Sequence, residues 1–249
     1  TGREYHCFSY YGAEDAENII ILMGSATEAA REAIDYLTSE GKKVGMISVH
    51  LYRPFSVKHL FAAVPKTVKK IAVLDRTKEP GAEGEPLYLD VKSAFYDQEN
   101  RPVIVGGRYG LGSSDITPAK IISVYNNLEL PEPKNHFTVG IIDDVTFTSL
   151  PAVEEMALGG KSIYEAKFFG LGADGTVGAN KNSVKIIGDN TNKHCQAYFS
   201  YDSKKSGGFT CSHLRFGDEP IRSTYQITTP NFVACHVQAY LNMYDVTRG

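Results

Sequence analysis

Between residues 18 and 127 the chain repeats one pattern: a short apolar run, a turn, then a stretch whose apolar residues recur every three or four positions. Residues 18–23 read as a buried strand, rich in Ile and closed by Gly24-Ser25. Residues 27–40 follow with Ala29, Ala30, Ala33, Ile34 and Leu37 on one helical face, and Gly41 stands past the last turn. The alternation continues with a strand at 43–49 and a short helix at 57–64 behind Ser56. Next come a strand at 70–75, a helix at 86–96 and a strand at 102–105. A helix at 118–127 closes the series, with Thr117 as cap and Pro118 in the first position. Such β-α-β-α order predicts an α/β fold with a largely parallel sheet covered on both faces.

At 128–136 two prolines and several charges interrupt all periodicity, so the domain boundary is expected there, giving domains at 1–130 and 131–249. The second domain reads as a strand at 137–142, a loop at 143–150 and a short helix at 151–158. A strand at 163–169 then runs through a glycine-rich turn into a helix at 177–187. Strands at 195–201 and 209–214 flank a loop. Both domains are expected to be three-layer α/β sandwiches. The chain does not begin with Met, and the amphipathic pattern from Val233 stops at Gly249, so a piece of a longer polypeptide is expected.

Composition excludes several classes. Twenty-six Lys and Arg against 29 Asp and Glu leave a net charge of -3, without the basic excess on which nonspecific nucleic-acid binding rests. No apolar run approaches the roughly 20 residues needed to cross a bilayer, and the first residues show no signal region. Four cysteines without a C-x-x-C pair read as reduced structural thiols of a cytoplasmic protein. The seven histidines show no H-x-x-x-H spacing. Neither a nucleophile elbow nor a phosphate-loop lysine motif is present.

The sharpest chemical signal is Gly170, Gly172 and Gly175, a G-x-G-x-x-G between a strand and a helix. Glycines there allow a tight turn and close backbone approach to a pyrophosphate, whose charge the helix amides receive. Gly178, Asn180, Lys181 and Asn182 follow in the first turns of the helix. The alternative is a turn shaped only for packing. Asp202 stands where a nicotinamide dinucleotide site wants an acid, but Lys204 and Lys205 suit a phosphorylated ribose better. A second glycine cluster holds Gly106, Gly107, Arg108 and Gly110, and reads mainly as a structural turn. Arg76 and Lys78 lie just beyond a strand end, where functional loops and interfaces both occur.

With these stretches laid out, the whole chain resembles the pyruvate:ferredoxin (flavodoxin) oxidoreductases. The resemblance rests on LDRTKEPGA (74–82), GEPLY (84–88), VGGRYGLGS (105–113), FGLGADGTVGANKNS (169–183), GGFTCSHLRFG (207–217) and FVACH (232–236). It implies a transketolase C-terminal-like first domain and the start of a gamma-type second domain. It further implies an enzyme that oxidatively decarboxylates pyruvate with thiamine diphosphate and Mg2+, passes electrons through 4Fe–4S clusters to ferredoxin or flavodoxin, and acetylates coenzyme A. Full-length members are expected to be homodimers. The thiamine and cluster sites are expected in other domains, so this piece should be inactive alone, lacking catalytic and metal residues. On this reading Gly172, Gly175, Gly178, Asn180, Lys181 and Asn182 contact coenzyme A. Arg76, Lys78 and Arg108 pack against neighbouring domains. A nicotinamide-binding domain and a ligand-free scaffold are the competing readings.

Overall fold

The apolar runs of the first half become the centre of a parallel sheet in the computed structural model, which describes all residues except 1, 157, 159–161, 202–207, 223, 225 and 248–249. In chain order the first unit holds β1 (Phe8–Gly12), β2 (Asn18–Met23), α1 (Ala26–Ser39), β3 (Val44–Val49), α2 (Val57–Ala63) and β4 (Lys70–Asp75). It continues with α3 (Pro86–Ala94), β5 (Val103–Arg108), α4 (Pro118–Glu129) and β6 (Phe137–Thr138). The strand order is β1-β3-β2-β4-β5-β6, and every neighbouring pair is parallel except β1 with β3. Strand β1, which the sequence pattern did not mark, seals the β3 edge as an antiparallel strand.

The reason for continuous apolar runs is visible in β2. Its side chains alternate between faces, and Ile19, Ile20, Ile21 and Leu22 are all fully buried. Ile20 and Leu22 join α1 and α4 residues such as Ala30, Ile34, Ile121 and Tyr125 in one core. Ile19 and Ile21 join Leu60 of α2 and Leu87, Tyr88 and Val91 of α3 in the other. Each such side chain contributes on the order of 1.5–3 kcal/mol of transfer free energy.

The boundary expected after residue 130 lies elsewhere: the chain divides into Thr1–Leu158 and Gly159–Gly249. The proline stretch ends α4 without ending the domain. Asn127 clasps it, donating to Lys134 O at 3.0 Å and accepting from Lys134 N at 2.9 Å. Beyond it Phe137 is fully buried, and β6 pairs with β5 through Gly107↔Phe137 and Arg108↔Thr138. The strand expected over 137–142 is cut to two residues, with Gly140 at φ +76. The helix expected over 151–158 is absent from its described residues. Val153, Met156 and Leu158 pack on the first core from irregular chain instead.

The second unit contains β7 (Tyr164–Leu171), α5 (Thr176–Asn190), β8 (His194–Tyr201), β9 (Phe209–Gly217) and β10 (Phe232–Cys235). Its strand order is β10-β7-β9-β8, with β9 antiparallel to both β7 and β8, and β10 parallel to β7. Helix α5 packs on one face of this mixed sheet, where Lys181 Nζ lies 5.4 Å from the Phe199 ring centre. The opposite face carries Phe169 and Cys211 against Tyr240 and Val246. Among the described residues this third layer is irregular apart from a 3₁₀ turn at Gln238–Asn242, where an α/β sandwich would place helices.

The sharpest packing constraint of the first unit is at Gly107, where a Cβ would meet the Phe137 ring at 2.1 Å. Gly107→Ala is expected to cost about 1–3 kcal/mol through overpacking. Adding Phe137→Leu should restore part of that loss, as a denaturant double-mutant cycle would measure.

Candidate functional site

The turn between β7 and α5 is built around one carboxylate. Asp174 Oδ2 accepts from Leu171 N at 2.7 Å and Oδ1 from Thr176 N at 2.8 Å, so the side chain closes the turn and takes the first amide of the helix. Burial raises its pKa, but the bonds from Thr176 and Leu171, with His236 nearby, hold it below the ordinary carboxylate value. Gly170 is required by close approach: a Cβ would lie 2.5 Å from Thr176 Oγ1 and 2.6 Å from Asp174 Oδ2. Gly175 is required by backbone conformation, at φ +85.

Two long-range clamps fix the turn to the sheet. Gly172 N donates to Gly208 O at 2.9 Å. His236, at the end of β10, donates its backbone N–H to Phe169 O at 2.9 Å and sets Nδ1 2.7 Å from Thr176 Oγ1. Asp174, Thr176 and His236 are the supporting residues that motif reading missed. An acid two residues before a helix start was the available signal for Asp174; His236 is 60 residues from Thr176 and gave none.

The structure separates the six predicted contacts. Gly172, Gly175 and Gly178 share an exposed edge of the unit, beside the amides of Val177 and Gly178, which have no partner among the described residues. Asn180 turns inward: it is 4% exposed, and its Nδ2 donates to Thr176 O at 2.9 Å. Lys181 and Asn182 are exposed, Lys181 leaning over Phe199. Asp202, Lys204 and Lys205 lie outside the described residues. An anion at this edge would meet two open helix amides, with the Asp174 charge close beside them.

The second glycine cluster is structural. Gly106 makes room for the Tyr88 ring and Gly107 for Phe137, on opposite faces of β5. Arg108 forms a largely buried ion pair, Nε to Glu85 Oε1 at 3.2 Å, and donates to His136 O at 3.1 Å. Arg76 is exposed but packs on Gly110, while Lys78 is exposed. Asp75, at the end of β4, accepts from Leu87 N at 3.0 Å and Tyr88 N at 3.1 Å, and burial nevertheless raises its pKa.

The far face of the second sheet concentrates buried polar groups. Arg215 donates to Glu165, to Gln196 Oε1 at 2.9 Å, and to the carbonyls of Thr224 and Gln226, tying the irregular layer down. His213 Nδ1 accepts from Ile227 N at 3.0 Å, which requires the neutral ring with its proton on Nε2. Burial next to Lys167 and Arg215 pushes its pKa down to about 4. Cys211 is held as a thiol, burial raising it to about 11. The four cysteines are free, and among the described residues no His, Cys, Asp or Glu group is placed to hold a metal. No described helix is long and apolar enough to cross a membrane.

Comparison with known proteins decides the family. The model for pyruvate:ferredoxin oxidoreductase core domain II matches residues 16–121, and that for pyruvate ferredoxin/flavodoxin oxidoreductase matches residues 165–248. A pyruvate-flavodoxin oxidoreductase of Enterobacter agglomerans is 60% identical over all of this chain, which covers 21% of that protein. A pyruvate:ferredoxin oxidoreductase of Moorella thermoacetica is 54% identical over all of it, again with 21% of that protein covered. The family is that of the pyruvate:ferredoxin (flavodoxin) oxidoreductases, matched through an internal fragment. The chain thus spans about a fifth of the length of these curated relatives. A 2-oxoglutarate:ferredoxin oxidoreductase structure from Magnetococcus marinus, with 2-oxoglutarate, coenzyme A and succinyl-CoA bound, is 25% identical. It covers 49% of this chain and 19% of its own, at a TM-score of 0.37, too low a likeness to place a ligand here.

Because the folded His213 has a pKa near 4 against 6.5 ordinarily, the unfolded chain takes up a proton that the folded chain refuses. Stability is therefore full above pH 6.5 and falls as pH drops toward 4, by on the order of 3 kcal/mol. His213→Asn, whose Oδ1 can accept from Ile227, should flatten this part of the profile in urea melts between pH 7 and pH 4.5.

Proposed function

We propose that this chain works inside an enzyme that oxidatively decarboxylates pyruvate, gives the electrons to ferredoxin or flavodoxin and the acetyl group to coenzyme A. Its first unit serves as a transketolase C-terminal-like scaffold, and its second, gamma-type unit supplies part of the coenzyme A site. Thiamine diphosphate, Mg2+ and the 4Fe–4S clusters belong to other domains of that enzyme, which acts in the cytoplasm as a homodimer. The chain alone is inactive.

Gly178 carries the reading of the site. It lies exposed in the first turn of α5, has no left-handed backbone and would find nothing within 4 Å of a Cβ. The fold has no use for a glycine there, and Ala would stabilise the helix by about 1 kcal/mol. A glycine kept bare beside two open amides suits a pyrophosphate approaching the backbone closely. Gly172 and Gly175 shape that edge, while Lys181 and Asn182 are exposed beyond it. Asn180 supports the helix from inside, and a direct contact from it is not part of this proposal. Lys204 and Lys205, outside the described residues, are the basic pair whose charge suits the 3′-phosphate.

Two variants of the full-length enzyme test the site. Lys181→Ala should raise KM for coenzyme A about fivefold, the equivalent of roughly 1 kcal/mol, and leave KM for pyruvate unchanged. Gly178→Ala should raise the melting temperature while also raising KM for coenzyme A. A stabilised variant with an unchanged KM would remove the glycine edge from the site.

A further inference from the structure

The loop that follows β6 turns its apolar side chains outward. Ile142, Val145 and Phe147 are 91%, 80% and 73% exposed, although the backbone beneath them is densely bonded. Asp143 accepts from the backbone N–H groups of Val145 at 3.1 Å, Thr146 at 2.9 Å and Thr148 at 3.0 Å, and from both threonine hydroxyls. Its own N–H donates to Ser149 Oγ at 2.7 Å, which in turn donates to Ile141 O at 2.7 Å. From below, Lys134 Nζ donates to Phe147 O at 3.0 Å and Ser149 O at 3.2 Å. Phe147 itself is held at φ +54, a conformation uncommon for a bulky side chain.

A connection needs none of this. Single exposed apolar residues are ordinary, but three within six positions, on a loop whose shape is already fixed, form a surface whose ordering cost is met before anything binds. We propose that this loop is a prong that seats Ile142, Val145 and Phe147 in an apolar recess on another domain of the same enzyme, with a cation at the rim facing the exposed Asp144. Area favours that occupant over a second copy. At about 150–200 Å² per side chain, the tip buries less than the roughly 800 Å² per partner of a stable free-standing interface. A small contact suffices between domains of one polypeptide, where linkage keeps the effective concentration high. The relatives matched over this whole chain are nearly five times its length, since it covers 21% of each. The bulk of such an enzyme is therefore available to provide the recess.

The test uses the full-length enzyme carrying Val145→Cys, treated with iodoacetamide and read at that residue by peptide mass spectrometry. Labelling in the native enzyme is expected to be at least about tenfold slower than in the same enzyme unfolded in urea, because a seated thiol is shielded from the reagent. A slowing of less than that overturns the prong. Protection that disappears on dilution of the enzyme assigns the seat to a second copy and overturns the intramolecular occupant. Val145→Asp should in parallel lower the melting temperature of the full-length enzyme while leaving that of the 249-residue chain unchanged.

Discussion

A parallel strand buried on both faces has to find apolar partners above and below at once, and β2 sets the terms for the first unit. Its four central residues divide between two cores, so α1 and α4 must lie on one side and α2 and α3 on the other. Everything near the ends of the strands inherits its position from that requirement. Asp75 is one example: the end of β4 brings its carboxylate to the amides that open α3. The charge is buried because the strand is central, and it is tolerated because a helix start supplies donors.

Glycine serves three distinct ends in this chain, and a motif alone does not tell them apart. Gly106 and Gly107 are bare because rings occupy the space on either face of β5. Gly175 is bare because the backbone turns left-handed, and Gly170 because α5 begins directly over it. Gly178 answers to none of these; Gly188 farther along α5 does not either, but only Gly178 stands beside the open amides of the first turn. The acid in the turn has a similar double character. Asp174 stabilises α5 by taking its first amide, and in doing so it sets a negative charge beside the edge where an anion is proposed to approach.

The elements readable from the sequence were those whose signal is local. Strands β2 and β4 appear where unbroken apolar runs placed them, and α1 and α4 where helical spacing and caps did. What escaped depends on distant partners. Strand β1 exists because β3 offers an edge, and β6 because Gly107 leaves a space for Phe137. The proline stretch after α4 looked like a domain edge because prolines end periodic structure whether or not a core continues beyond them. In the candidate site the glycine turn was legible, since Gly170, Gly172 and Gly175 fall within one short stretch of sequence. The inward turn of Asn180 was not, because it depends on which face of α5 meets the sheet. The clamp from His236 reaches the turn only through the pairing of β10 with β7.

The placement of Phe137 bears on how such a chain is made. A ribosome releases β1 through α4 before β6 and the tail behind it, yet the first core is completed by residues beyond 136, on the far side of the prolines. Until that tail emerges, the face of β5 that Phe137 covers stays open to solvent, and the nascent unit carries an unfinished sheet edge. Vectorial synthesis thus holds the first unit in a sticky, incomplete form while the beginning of the second is being translated. Once that tail has emerged, the clasp of Asn127 on Lys134 holds the chain where it turns back toward the sheet.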